Sequence, residues 1–433
     1  MSEIPSVSRR LLLGGAAATG VLATGFAGSA QAAPTAAAQT PGRRPGQKSM
    51  IGVPFDTYPT VRVGVIGLGN RGSGMITGWA AVPGCTVTAV CDIRADRAKR
   101  AADRLESKGE PRPAEFGGSA DSYRRMLARD DIDLVYVATP WEFHHEHGRA
   151  ALLSGKHAMV ELPVATELSE LWDLVDTSER TRRHLMLAEN CSYGRNELAM
   201  LKAAHAGLFG DITHGHGGYL HDLRELLFSD TYYTDSWRRL WHTRSTACFY
   251  PMHGLAPIAA AMDVNRGDRL TTLTATASAA RGLADYRERF VPRDHPSWKE
   301  TYINGDRITC MIETARGRLV RAEHDVSSPR PYSRINTLAG SRGSSRTTPA
   351  PPRPARGSTS NPTTAATPGG TSPPTARSST TGCGSRSATT PRTTAATAAW
   401  TTSCSGARCS SCARVRCRTS TSTTRRPGAP PSR

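Results

Sequence analysis

The stretch Val61–Met75, V-R-V-G-V-I-G-L-G-N-R-G-S-G-M, constrains this chain more than any other. The β-branched run Val61–Ile66 reads as a buried parallel strand. It ends in Gly67-Leu68-Gly69-Asn70-Arg71-Gly72, a G-x-G-x-x-G turn. In a dinucleotide fold, Gly67 permits the sharp turn, Gly69 admits a pyrophosphate against the backbone, and Gly72 lets the next helix pack on the strand. That helix offers free N–H groups to the phosphates. A second strand, Cys85–Val90, leads to Asp92, in the window where an acid grips a ribose hydroxyl. Together these features make a fairly specific NAD signal. The competing reading is a glycine-rich turn in another kind of α/β protein.

From Pro59 the pattern alternates strand and helix. Helices are expected over 95–107, 146–154 and 168–182, and strands over 134–138, 157–160 and 185–188. Repeated βα units predict a doubly wound parallel sheet with its ligand at the strands' carboxyl ends. Thr139, Trp141, His144, Glu161 and Asn190 all fall at or just past such ends. After a helix over 197–208 the runs 212–220, 270–279, 308–314 and 319–324 read as strands without intervening helices. They suggest a second, α+β domain with a mainly antiparallel sheet, the Rossmann domain spanning 58–192 and the second domain 193–342.

Charge and cysteines split at the same place. Of the formal net charge of +18, the 14 arginines of Ser341–Arg433, a stretch with no Lys, Asp or Glu, supply 14, which leaves +4 for residues 1–340. The body is therefore nearly balanced, and no nucleic-acid partner is expected. Its cysteines (Cys85, Cys91, Cys191, Cys248, Cys310) are widely spaced and read as small buried hydrophobes. His144, His145 and His147 match no zinc spacing, so no metal is expected; His144 is read as facing the nicotinamide and the other two as facing solvent.

The N-terminus reads as a twin-arginine export signal: Ser8-Arg9-Arg10-Leu11-Leu12-Leu13, a weakly apolar stretch, then a small-residue cleavage site at Ala30-Gln31-Ala32. Residues 1–32 are read as a removed signal rather than a membrane span, and 33–57 as a flexible leader. The twin-arginine machinery is thus an expected partner and the protein is expected outside the cytoplasm. That route carries folded proteins, so an NAD captured inside travels with the chain.

After about Arg342 the composition collapses to Thr, Ser, Pro, Ala, Arg, Gly and Cys, with only Asn361, Trp400 and Val415 outside that set. Such a segment cannot bury a core and is expected to be disordered. Back-translated with permitted codons and read from the third base, Ala396–Ser405 can give H-G-G-M-D-Y-V-M-L. The same offset turns the stretch from Thr419 into D-L-D-V-Y-D-A-A-T-W, and Ser345–Pro349 into a V-E-D-Y-P-like run. One frameshift near Arg342–Ser345 explains the whole tail, and it would strip the second domain of a helix and a strand.

The first domain, with Gly67-x-Gly69-x-x-Gly72, Thr139-Pro140, His144, Gly155-Lys156-His157 and Glu161-x-Pro163, resembles the glucose–fructose oxidoreductase/inositol dehydrogenase (Gfo/Idh/MocA) superfamily. That superfamily usually has Glu-Lys-Pro at the last corner; here Leu162 stands in place of the lysine. The stretches Glu189–Glu197, Gly217–Arg224, Tyr250-Pro251-Met252-His253-Gly254-Leu255 and Met262–Arg269 resemble the NAD-dependent α-N-acetylgalactosaminidases of glycoside hydrolase family 109, apart from Met252, where Thr is common. The resemblance implies that Asn70, Arg71, Asp92, Trp141, His144, Glu161, Leu162 and Asn190 hold NAD. It implies that Tyr219, Arg238, Tyr250, His253 and Tyr332 line a sugar site, with His253 and Tyr332 moving protons. The implied substrate is an N-acetylgalactosamine-bearing glycan, cleaved through oxidation, elimination, water addition and reduction. The alternatives are an ordinary NAD-dependent sugar dehydrogenase and an inactive truncated product; homo-oligomerisation is left open. Without the resemblance, His253 reads as a cap for a helix near Leu255, Arg238 as a surface ion-pair partner, and the tyrosines as packing.

Overall fold

The computed structural model describes residues 42–346; the expected export signal and the tail beyond Arg346 lie outside them. The first sheet contains β1 (Val61–Ile66), β2 (Cys85–Asp92), β3 (Ala114–Gly117), β4 (Leu134–Val137), β5 (His157–Val160) and β6 (Leu185–Leu187). Their order is β3-β2-β1-β4-β5-β6 and every pair is parallel. β1 lies at the centre because its face residues Val63, Val65 and Ile66 are buried on both sides. Helices α1 (Asn70–Ala80), α2 (Ala95–Glu106), α3 (Ser122–Leu127), α4 (His144–Leu153) and α5 (Leu168–Thr181) connect the strands. On α1, Trp79 is buried with its ring 5.7 Å from that of Tyr136 on β4, which fixes the helix against the sheet.

The second sheet has the order β12-β11-β7-β10-β9-β8, built from β7 (Ile212–Leu220), β8 (Leu270–Ala277), β9 (Arg307–Thr314), β10 (Leu319–Asp325), β11 (Thr337–Gly340) and β12 (Ser344–Arg346). All its pairs are antiparallel except β7–β10, which is parallel. Helices α6 (Arg195–His205), α7 (Arg224–Leu227), α8 (Trp237–Arg244), α9 (Met252–Ala261) and α10 (Gly282–Phe290) accompany it. The central contact is α9 on β7. A Cβ on Gly254 would lie 1.9 Å from the Gly218 nitrogen, so only glycine there lets the helix touch the strand. At the other edge all eight residues of β8 are exposed, Leu273 to 60%.

Two sequence readings change here. Ser344–Arg346, placed in the tail expected to be disordered, form β12 against β11, because the Gly340–Gly343 turn brings them back onto that strand. Residues 43–57, read as part of a flexible leader, lie along α5 and the first sheet's edge. Arg43 pairs with Glu179 at 2.9 Å, Asp56 with Arg183 at 3.1 Å, and Phe55 lies 4.0 Å from the His184 ring. Among the described residues no helix is long and apolar enough to cross a membrane.

Candidate functional site

The glycine turn is built as its spacing predicts. Gly67 has φ +89°, and a Cβ on Gly72 would lie 1.8 Å from the Gly67 oxygen. Gly69, by contrast, faces open space on the side a Cβ would occupy. It is also the residue that starts α1 without a side-chain cap, so the first N–H groups of α1 remain for a phosphate. Asp92 ties the turn to β2: its carboxylate accepts from the Leu68 N–H at 2.7 Å and the Arg94 N–H at 2.9 Å. A carboxylate held this way still has lone pairs for a ribose hydroxyl. The donor set and the open face at Gly69 therefore fit a dinucleotide. Residues 229–236 of the second domain approach the same mouth. Asn70 donates to the Tyr232 carbonyl, Arg97 donates to Thr234 Oγ1 at 2.6 Å, and Arg94 lies 3.3 Å from Asp235.

Arg71 turns inward to Glu161, at 2.7 Å, and the same carboxylate oxygen accepts from the Tyr136 hydroxyl at 2.6 Å. Burial disfavours the Glu161 charge, yet Arg71 and Tyr136 hold the carboxyl below its ordinary range. Glu161, assigned to cofactor contact by resemblance, here anchors Arg71 beneath the turn. Leu162 is buried beside Trp141 and Tyr219, an aliphatic wall at this corner.

The histidine reading is corrected. His144 has its two ring nitrogens 2.6 Å from the Pro163 carbonyl and 2.7 Å from the Thr139 carbonyl, and it is buried. It joins two strand ends rather than presenting a nitrogen to a ligand. Burial pushes its pKa down, and a neutral ring carries one N–H, so one of the two approaches is a hydrogen bond at neutral pH. His147 is also buried, against Tyr123 at 4.5 Å, and burial takes its pKa to about 4. His145 lies 2.8 Å from Asp173.

The residues expected at the sugar site do converge. The Tyr219 ring lies 5.0 Å from His253, 5.1 Å from Tyr250 and 6.1 Å from Tyr332. Trp141, at the end of β4, stacks on Tyr250 at 6.1 Å, so the two sheets' loops meet in one aromatic wall. Arg238 is no surface residue. Its guanidinium is buried over the rings of Trp141, Tyr233 and Tyr250, donates to the Tyr233 hydroxyl at 3.1 Å, and keeps a buried Nη2 without a hydrogen-bond partner. An unpaired buried guanidinium nitrogen is the donor a ligand carbonyl or hydroxyl would satisfy. Burial pushes the Tyr219, Tyr250 and Tyr332 hydroxyls up, so they stay protonated at neutral pH.

His253 lies in the first turn of α9 rather than capping it. Its Nδ1 is 2.9 Å from Oε1 of Glu189, a residue the sequence reading passed over. Burial disfavours the imidazolium, but the Glu189 carboxylate outweighs it and the ring is raised to about 10. His253, expected to titrate near neutrality, is therefore a charged donor at pH 7. Glu189 also accepts from the Cys191 N–H at 2.7 Å, within the short turn Asn190–Tyr193 that carries Asn190. The 64 residues between Glu189 and His253 hid the pair from pattern reading.

A parallel sheet with a glycine-turn cradle, joined to a second sheet that brings tyrosines, Arg238 and His253 to its mouth, defines an enzyme with an NAD-type cofactor. Residues 61–189 match the oxidoreductase family, NAD-binding Rossmann fold, and residues 193–350 match the glycosyl hydrolase 109, C-terminal domain. A glycosyl hydrolase family 109 protein of Streptomyces coelicolor is 86% identical over 344 residues, 79% of this chain and 72% of that relative. One from Saccharopolyspora erythraea is 50% identical over 342 residues, 78% of this chain and 72% of its own length. Another, from Streptomyces niveus, is 55% identical, and the match spans 60% of its length. The chain belongs to glycosyl hydrolase family 109. Among solved structures it is similar in fold to scyllo-inositol dehydrogenase from Lactobacillus casei with bound NAD(H) and scyllo-inositol, with TM-score 0.51, 16% identity and coverage of 66% of this chain and 76% of that one. Levoglucosan dehydrogenase in complex with NADH gives TM-score 0.51 at 20% identity, covering 66% of this chain and 72% of that one.

Proposed function

We propose that this chain hydrolyses terminal α-N-acetylgalactosaminides while keeping one NAD through every turnover. The observation that carries the reading is the state of the two acids in the site. Glu161 is committed to Arg71 and Tyr136, and Glu189 to His253, so neither is a free carboxylate of the kind that flanks the bond in a conventional glycosidase. NAD, when bound, supplies reversible hydride transfer at the sugar's third carbon, and Gly67, Gly69, Asn70, Gly72 and Asp92 would hold it. The resulting ketone acidifies the neighbouring C–H, and the aglycone leaves by elimination as that proton passes through the Tyr219 hydroxyl to Nδ1 of His221, 2.9 Å away and kept uncharged by burial.

The protein's own groups then have defined tasks. Arg238 offers its unpaired Nη2 to the N-acetyl oxygen or a ring hydroxyl. Tyr332 remains a protonated donor beside the sugar. Charged His253 gives a proton to the departing oxygen, and the neutral ring left behind accepts one from the water that adds. Leu162 cannot take a hydroxyl proton, which weighs against an ordinary sugar dehydrogenase. Incubation with a nitrophenyl α-N-acetylgalactosaminide separates the two readings. Nitrophenol release without added NAD supports the glycosidase; net NADH formation on free sugars, without that release, supports the dehydrogenase. Internal recycling also suits export through the twin-arginine route, which is part of this proposal.

A further inference from the structure

We propose that Glu189, Cys191 and His253 form a three-ligand site for a thiophilic divalent cation of the zinc class. One carboxylate oxygen, the thiol sulfur and one imidazole nitrogen all lie within 4.8 Å of one another. Bonds of about 2.0–2.3 Å in a tetrahedral site put ligand atoms roughly 3.3–3.8 Å apart. The Glu189–His253 contact, now 2.9 Å, has to open by roughly 0.4–0.9 Å, and the sulfur already lies within 4.8 Å of both partners. Rotation of three side chains covers such shifts without backbone movement.

A dication of this class binds an imidazole nitrogen and a thiolate, so occupancy releases protons. Two cations lie near the cluster and oppose further positive charge there: Arg334, which interacts with Cys191, and Arg238, over the Tyr250 ring beside His253. The mixed sulfur, nitrogen and oxygen set selects zinc, cadmium or cobalt over magnesium and calcium. Three protein ligands leave a fourth position for water or a sugar hydroxyl. Occupancy breaks the Glu189–His253 hydrogen bond, so on the glycosidase reading the cation is a reversible blocker of the proton donor. Binding itself does not depend on that reading.

The test is a cobalt titration of the full chain in which Cys383, Cys404, Cys409, Cys412 and Cys417 are replaced by Ser, which removes competing thiols. The expected result is one equivalent of Co²⁺ with a thiolate-to-cobalt absorption band in the near ultraviolet, displaced by Zn²⁺ and untouched by Mg²⁺. Adding Cys191→Ser abolishes the band. Glu189→Gln, which keeps the thiol and the ring, weakens cobalt binding and serves if Cys191→Ser does not fold. Absence of the band, or its survival in Cys191→Ser, overturns the proposal.

Discussion

The Glu189 carboxylate holds the His253 ring at 2.9 Å across the junction between the first sheet's last strand end and the first turn of α9. That single contact decides which protonation state His253 presents to a sugar. Glu189→Gln removes the negative charge and keeps the size. We expect a fall in kcat of about 10²-fold or more with KM much less affected, as for loss of a positioned proton donor. Steady-state kinetics on a nitrophenyl glycoside checks it; an unchanged kcat removes Glu189 from the account.

Gly72 and Gly74 share one helix and have opposite surroundings. Gly72→Ala drives a methyl into the Gly67 carbonyl, whereas a Cβ on Gly74 meets nothing within 4 Å. The first change should yield protein purified without dinucleotide. The second should retain it and gain up to ~1 kcal/mol from helix propensity. Chromatography of the nucleotide released on denaturation distinguishes them.

Glu323 on β10 is fully buried between Arg307, Arg321 and His216. Burial disfavours its charge, but these partners outweigh it and bring the carboxyl to about 2. A folded-state value below the unfolded one stabilises the fold above the ordinary glutamate range and loses that contribution as pH falls toward about 2. Glu323→Gln should lower Tm at pH 7 and flatten the decline of Tm between pH 5 and pH 3 relative to the parent. Melting curves across that window test it.

β8 leaves Leu270 and Leu273 exposed at 42% and 60%. On the proposal that the reading frame shifts near Arg342–Ser345, the shifted sequence would supply the missing cover. Leu273→Thr should then change stability by less than about 0.5 kcal/mol and reduce aggregation in the chain as it stands. A chain with the frame restored should melt higher than the present one. Equal melting temperatures would count against a frame break.

The parallel sheet was legible because β1, β2, β4 and β5 are short apolar runs closed by turn residues. β3 and α3 were not, since A-E-F-G and S-Y-R-R-M-L are too short to show a period. α9 was legible only in part: a helix was expected from near Leu255, but it begins at Met252, and Gly254 inside it is what allows the helix to touch β7. Site residues carried over by resemblance did gather, as Tyr219, Arg238, Tyr250, His253 and Tyr332 show. Pair relations did not show, because Glu189 and His253, or His144 and Pro163, meet only through tertiary packing.

Cleavage of an N-acetylgalactosaminide in heavy water, with purified protein and no added NAD, tests the central claim most directly. The released sugar should carry deuterium at its second carbon, because elimination removes that hydrogen and water returns one. Sugar released with its original hydrogen intact at that carbon would contradict the account.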